Sequence, residues 1–118
     1  MDRFRLTARQ GPQVERDEYA NLDEAVAALQ LRAERVVAAG PLKQVSMLRD
    51  FEPRRQVAAR LEISTGPRRR RRVAGVDVMG DGSLVPYRAQ AGLAGRRPLR
   101  SGPKTSATME LVRQELSE

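Results

Sequence analysis

The sequence has no cysteine, no histidine and no tryptophan, and aromatic residues make up only 3% of its 118 positions. Without cysteine the chain can form neither a disulfide nor a thiolate nucleophile nor a sulfur-ligated metal site. Without histidine it lacks the commonest general base and the commonest zinc ligand. Catalysis would have to rest on carboxylates, tyrosines or lysines, so we expect a protein that is not an enzyme and uses no cofactor and no metal.

Long apolar runs are also absent. No stretch approaches the roughly 20 apolar residues of a membrane-spanning helix, and the first residues contain no apolar signal core. We therefore expect a cytoplasmic protein with no membrane partner. A length of 118 residues fits one domain with a single core, which we assign to residues 1–118. Because aromatic residues are so few, this core should be built from aliphatic side chains.

Positive charge is abundant and unevenly distributed, and the formal net charge is +7. Residues 1–52 contain eight basic and nine acidic residues, whereas residues 54–104 contain thirteen basic and three acidic ones. Twenty of the 22 basic residues are arginine. Arginine suits phosphate, but a G+C-rich genome also favours arginine over lysine, so the arginine content alone has two explanations. Genome composition does not, however, explain the clustering.

The densest basic segment is a run of five arginines that follows the turn-forming pair Gly66-Pro67. Adjacent guanidinium groups repel one another, so they must stay solvated or meet a dense negative surface. We predict a site for the backbone of nucleic acid, or for another polyanion such as a ribonucleoprotein surface, because guanidinium groups bond phosphate and release its counterions. The predicted site residues are Arg54, Arg55, Arg68, Arg69, Arg70, Arg71, Arg72, Arg96, Arg97, Arg100 and Lys104.

Two other interpretations of the charges are open. The arginine run would also suit a solvated hairpin tip, where charge guards a sheet against edge-to-edge aggregation. Alternatively, the chain is a protein–protein interaction or homo-oligomeric assembly domain, in which an acidic cluster docks on the arginine-rich part of a second copy. The same cluster holds the candidates for acid-base chemistry or a magnesium site. It consists of Glu15, Asp17, Glu18, Asp23 and Glu24.

Strict alternation of apolar and polar residues predicts a first strand over residues 3–9, with Phe4, Leu6 and Ala8 facing inward. A glycine-proline pair then breaks this strand. The acidic segment 14–19 either returns as a short second strand or leads directly into the next element.

Apolar residues at spacings of three and four predict an amphipathic helix over residues 22–39. Asn21 is a suitable N-cap, because its side chain can accept a hydrogen bond from the first turn. The pair Gly40-Pro41 should end the helix.

Three strand-like segments follow. They are residues 44–51, where the alternation suggests a bulge, 56–64 and 73–79, and the third turns into residues 83–89, with which it forms a predicted hairpin across a glycine-rich turn. The inward-facing residues should be Val57, Ala59, Leu61 and Ile63 in segment 56–64 and Ala74, Val76 and Val78 in segment 73–79.

Residues 90–104 are rich in glycine, proline and basic residues, which predicts an irregular connector. A last helix capped by Ser106 should follow, with Met109, Val112 and Leu116 on its apolar stripe. The predicted fold is therefore α+β, with a single antiparallel sheet of about four strands in the order β-α-β-β-β-α and the helices on one face.

The turn between segments 73–79 and 83–89 superficially matches two binding motifs. Asp77 would begin a calcium loop, but its third and twelfth ligand positions would be Met79 and Arg88, which cannot supply the required oxygens. The glycines here also lack the third glycine of a dinucleotide fingerprint, and no Gly-Lys-Ser/Thr loop exists. We therefore predict a plain tight turn.

Overall fold

One antiparallel sheet with two helices makes up the part of the chain that the computed structural model describes, residues 3–39, 57–66, 71–89, 96–98 and 105–117. The strands form the sheet in the order β2-β1-β3-β4-β5-β6. The predicted α+β class is thereby confirmed. The elements are β1 (Phe4–Gln10), β2 (Gln13–Tyr19), α1 (Leu22–Ala38), β3 (Val57–Thr65), β4 (Arg72–Met79), β5 (Leu84–Ala89), the three-residue β6 (Arg96–Pro98) and α2 (Thr105–Ser117).

The first two strands form a hairpin, which settles the open alternative for segment 14–19 and corrects the predicted order. The first helix follows the second strand, and the sheet has six strands rather than about four. Gln10 pairs with Gln13, so only Gly11 and Pro12 form the connection. Gly11 has a φ of 59°. A glycine at positive φ followed by a residue with φ near −65° is the combination that a type II′ hairpin turn needs.

Helix α1 agrees closely with its prediction over residues 22–39. The side chain of Asn21 accepts a hydrogen bond of 2.8 Å from the backbone N–H of Glu24, as an N-cap should. The helix ends at Ala38, one residue earlier than predicted, and Gly40-Pro41 lie outside the described residues. The buried residues of α1 are Ala25, Val26, Leu29 and Ala33.

Strand β3 confirms three of its four predicted inward residues and corrects the fourth. Ala59, Leu61 and Ile63 are buried, whereas Val57 is 43% exposed. A register shift between Val57 and Ala59 places two residues of β3 against one residue of β4. A bulge of this kind turns the residues before it to the other face of the sheet. The strict alternation therefore failed at Val57.

Strands β4 and β5 form the predicted hairpin. Its turn is a plain one, as predicted: the Met79 N–H donates to the Ser83 carbonyl over 2.8 Å, and the Asp81 carboxylate accepts from the backbone N–H and the hydroxyl of Ser83. Asp81 therefore bonds within its own turn. The described residues contain no group of three or more carboxylates arranged to hold a metal ion.

The C-terminal part corrects the prediction of an irregular connector. Within residues 90–104, β6 forms and pairs with β5; the rest of that segment, like the predicted strand 44–51, lies outside the described residues. Helix α2 begins at Thr105, so Ser106 belongs to its first turn and is not the cap. Its predicted stripe is confirmed, because Met109, Val112 and Leu116 are buried. Neither described helix has the length and apolar character needed to cross a membrane.

Both helices pack on the same side of the sheet. Helix α1 contacts β1 to β4, α2 contacts β4 and β5, and the helices contact each other. We call this side the helix face and the other side the open face. The core between helices and sheet is aliphatic, as predicted, and includes Leu6, Ala8, Leu29, Leu61, Ile63, Val76, Val78 and Val112.

Candidate nucleic-acid interface

The predicted site residues are described to different depths. Arg71 and Arg72 are described with their side chains, and Arg96 and Arg97 through their backbone in β6. The remaining predicted residues lie outside the described part of the chain. They are Arg54, Arg55, Arg68, Arg69, Arg70, Arg100 and Lys104.

Arg71 and Arg72 lie where the chain enters β4. Gly66, with a φ of 92°, follows the end of β3, and Arg72 pairs with Thr65 between β3 and β4. Both arginines are exposed, and no described carboxylate pairs with either of them. We call this end of the sheet, formed by Gly66, Arg71 and Arg72, the arginine end.

The sheet brings a second basic segment to the arginine end. Arg96 pairs with Ala89, and Ala89 pairs with Val73. The backbone of Arg96 is therefore two strand spacings, about 10 Å, from that of Val73. By contrast, β3 begins at Val57, at the opposite end of its strand from the arginine end. Two of the basic segments thus share one end of the sheet although they are far apart in sequence.

Two further arginines lie beside the arginine end, and sequence reasoning missed them. The Thr65 hydroxyl donates a hydrogen bond of 3.1 Å to the carbonyl oxygen of Arg3, and Arg5 pairs with Ser64 on β3. Arg3 and Arg5 both bind the Glu18 carboxylate, at 3.3 and 3.1 Å. The signal for their location is the pairing of β1 with β3, which joins residues about 60 positions apart and has no local signature.

Four of the five residues of the acidic cluster, all except Glu24, form salt bridges with arginines of their own chain. The Arg32 guanidinium lies 2.6 Å from Glu15 and 3.7 Å from Asp17, and Arg113 of α2 pairs with Asp23. The hydrogen bond from Arg32, reinforced by its charge, lowers the pKa of Glu15 below its usual range. A carboxyl group with a lowered pKa stays ionised near neutral pH, which does not suit it to act as a general acid.

The pKa of Glu18 is lowered for the same kind of reason. Hydrogen bonds from Arg5 and then Arg3 are the largest causes. One carboxylate therefore serves two arginines, so this part of the open face keeps an excess of positive charge.

The centre of the open face is occupied by a polar network above Gly75. The Arg60 guanidinium bonds both oxygens of Asp77, at 2.7 and 3.1 Å, and lies 5.8 Å from the centre of the Tyr87 ring. The Tyr87 hydroxyl donates to Glu62 over 2.8 Å. The hydrogen bond that Arg60 donates to Asp77 raises the pKa of Arg60, so this arginine remains charged and paired.

The described part of the chain presents no exposed aromatic ring. Phe4 and Tyr19 pack against the core, and Tyr87 is only 2% exposed. A ring that is buried or packed against the core offers a base little surface for stacking. Among the described residues, contacts with nucleic acid would therefore rely on the arginines.

A small apolar cavity of about 190 Å³ lies between the end of α1 and β5. Its walls include Ala33, Val37 and Leu84, and its one ionisable wall residue is Glu34. That carboxylate accepts a hydrogen bond of 3.0 Å from Gln30. Nothing in this cavity resembles an arrangement of acid, base and nucleophile.

Comparisons of this chain with protein-family models, with curated proteins and with solved structures found no match.

Proposed function

We propose that this protein is a small non-enzymatic module that binds the phosphate backbone of nucleic acid through its clustered arginines. The observation that carries the proposal is the contrast between two groups of arginines. Arg3, Arg5 and Arg32 are engaged by carboxylates, whereas Arg71 and Arg72 are exposed without a described carboxylate partner. Guanidinium groups without a neighbouring carboxylate, here at the arginine end of the sheet, attract a partner of high negative charge density.

Phosphate is the anion that this chemistry fits best. A guanidinium group donates two parallel hydrogen bonds to phosphate oxygens, and each contact releases a condensed counterion. The proposed contact residues are Arg71 and Arg72 together with the rest of the predicted set, of which Arg96 and Arg97 share the arginine end.

Binding should depend little on base sequence. Base-edge contacts and stacking provide sequence recognition, and the described surface offers no fully exposed ring for stacking. We therefore expect similar affinity for duplexes of different sequence but equal length.

Intramolecular pairing of the acidic cluster favours nucleic acid over self-association as the role of the arginines. Docking of the acidic cluster on a second copy would have to compete with the existing pairs of Glu15, Glu18 and Asp23. We retain the cytoplasm as the proposed compartment.

An electrophoretic titration with a duplex at two salt concentrations, about 50 and 200 mM, tests the proposal. If about six phosphates are neutralised, log K should fall with log[salt] with a slope of about −5 for duplex DNA. Absence of retardation at the lower salt concentration, or affinity that salt does not change, would refute the proposal.

Matched single substitutions identify the contact residues. Arg71→Gln should reduce the magnitude of the salt slope by about 0.9, the contribution of one phosphate. The control is Arg35→Gln, because Arg35 is also exposed, forms no described salt bridge although its charge acts on Glu15, and lies about 20 Å along α1 from its first residue. Equal losses in both variants would show that only total charge matters.

Light scattering with and without nuclease separates the proposal from the assembly alternative. We expect any high-mass species in a fresh preparation to disappear after nuclease treatment. A stable oligomer that survives nuclease and does not change when the five arginines are replaced would instead favour an assembly domain.

A further inference from the structure

The open face of β1 carries arginines at nearly every outward position. Arg3, Arg5, Thr7 and Arg9 alternate with the core residues of this strand, so their side chains share the open face. Arg16 on β2 pairs with Thr7 and is therefore the diagonal neighbour of both Arg5 and Arg9. We call Arg3, Arg5, Arg9 and Arg16 the basic stripe.

Arg9 and Arg16 are the uncompensated members of the basic stripe. Both are exposed, and no described carboxylate pairs with either. Arg9 also lies directly opposite Arg60 on β3, a like charge. The two acids of β3 and β4 on this face already have partners: Asp77 accepts two hydrogen bonds from Arg60, and Glu62, which lies opposite Thr7, accepts one from the Tyr87 hydroxyl.

The charges of β2 are sorted between the two faces of the sheet. Glu15 and Asp17 point toward the helix face, where Arg32 meets them. Arg16, between them in sequence, points the other way. This hairpin thus removes two carboxylates from the surface on which the basic stripe lies.

The basic stripe connects with the arginine end. Arg3 is hydrogen-bonded through its carbonyl to Thr65, and Thr65 pairs with Arg72. From Arg3 to Arg9 the strand extends six residues, about 20 Å. Phosphates follow one another every 3.4 Å along the axis of a duplex strand, so about six phosphates cover that length.

We propose that the basic stripe is a second contact surface, along which a double-stranded nucleic-acid backbone extends from the arginine end toward the β1–β2 hairpin. This inference rests on the proposed function and deepens it. A duplex is the occupant because its charge is continuous and its bases need no ring to stack on, whereas sequence-independent binding of single strands relies on stacking.

Salt-dependent binding to a duplex of about 20 base pairs, which is longer than the stripe, tests the inference. Arg9→Gln and Arg16→Gln should each reduce the magnitude of the slope of log K against log[salt] by about 0.9. Arg35→Gln also removes one exposed positive charge, but on the helix side of the sheet, and should leave the slope unchanged. Arg16→Lys should keep the wild-type slope, which separates charge from any effect on folding.

The outcomes are distinguishable. If Arg16→Gln behaves like Arg35→Gln while Arg71→Gln weakens binding, the stripe is overturned and the proposed function stands. Tighter binding of a single strand than of a duplex of the same sequence overturns the duplex as occupant. If the wild-type protein fails to bind any duplex, the proposed function falls and the inference falls with it.

Discussion

At the scale of single residues, the most constrained position is Gly75 in the middle of the sheet. A Cβ atom at this position would overlap the Leu61 carbonyl oxygen and would lie 2.8 Å from the Cα of Glu62 and 3.0 Å from the Tyr87 hydroxyl. The tyrosine ring thus occupies the space that a side chain of β4 would otherwise fill. Backbone atoms cannot rotate away, so the absence of a side chain is a packing requirement.

Gly75→Ala should lower the free energy of unfolding by about 3 kcal/mol, because overpacking against backbone leaves no rotamer to relax. Gly11→Ala provides the contrast: a Cβ there meets nothing within 4 Å, but φ is 59°, and the left-handed conformation costs about 1 to 2 kcal/mol. Urea denaturation of both variants measures the difference. A smaller loss for Gly75→Ala than for Gly11→Ala would contradict this assignment.

Tyr87→Phe should lower the free energy of unfolding by about 1 kcal/mol, because it removes the hydrogen bond to Glu62 and keeps the ring. The same denaturation measurement applies. Glu62→Gln keeps an acceptor for the tyrosine hydroxyl and should cost less. Equal stability of Tyr87→Phe and the wild type would show that the ring alone holds this network together.

At the scale of elements, β2 is a long edge strand whose charges disfavour pairing with itself. Alternate residues of β2 direct their backbone N–H and C=O away from β1, and no described strand pairs with that side. Suppose that the β2 strands of two molecules pair antiparallel about a two-fold axis at Arg16. Each Arg16 would then lie opposite the Arg16 of the other molecule, and Glu15 would lie opposite Asp17. A shift of the centre by one residue opposes Glu15, or Asp17, with its own copy. Like charges directly opposite destabilise a pair of strands.

Arg16→Val combined with Asp17→Lys should convert β2 into a self-complementary edge, with Val opposite Val and Glu15 opposite Lys. We expect the mean mass from light scattering to rise with protein concentration. The matched control, Arg16→Val with Asp17→Glu, retains the repulsion and should keep the mass of the wild type. Association of both variants would show that removal of Arg16 suffices.

The elements differ in how far the sequence predicts them. β1, α1, the β4–β5 hairpin and the stripe of α2 follow from local periodicity, because each buries one face. β2 has no apolar face, so the alternation of apolar and polar residues could not show whether residues 14–19 form a strand. The pair Gly11-Pro12 indicates the strand instead, because a two-residue turn with glycine first favours a hairpin. The bulge before Ala59 has no comparable signal, and this is why Val57 was wrongly placed in the core.

At the scale of the whole molecule, neutralised and unneutralised charges lie on different parts of the described surface. The acidic cluster is met by Arg32, Arg3, Arg5 and Arg113, while the arginine end and the basic stripe keep their charge. The sequence predicted the excess of arginine and its clustering between residues 54 and 104. The alternation in residues 3–9 predicts that Arg3, Arg5 and Arg9 share one outward face, but it could not join this face to the arginine end, because that neighbourhood is determined by pairing with a strand more than 50 residues away.

The ion pairs of Glu15 and Glu18 with arginines should make the free energy of unfolding decrease as the pH becomes acidic. The pKa values of Glu15 and Glu18 are lowered by hydrogen bonds from Arg32, and from Arg5 and Arg3, respectively. In the unfolded chain these groups bind protons first, at a pKa of about 4.3. The contribution of Glu15 and Glu18 to the free energy of unfolding is therefore complete above that pH. It disappears as the pH falls through their lowered pKa values in the folded protein.

The double variant Glu15→Gln and Glu18→Gln should have a smaller decrease in the free energy of unfolding between about pH 5 and pH 3 than the wild type. Urea denaturation at several pH values gives this slope. Glu24→Gln is the control, because the Glu24 carboxylate makes no described ion pair. A slope unaffected by the double variant would show that these exposed pairs add nothing to stability.

The order of the strands has a consequence for synthesis on the ribosome. β1 lies between β2, which follows it immediately, and β3, which is made some 50 residues later. The hairpin and α1 can form early, but one hydrogen-bonding edge of β1 and the part of α1 that packs on β3 stay without their partner until β3 has emerged. Closing this long-range pairing is slow compared with forming a hairpin. The nascent chain therefore passes through a stage with an open strand edge, and that stage is its period of greatest risk of aggregation.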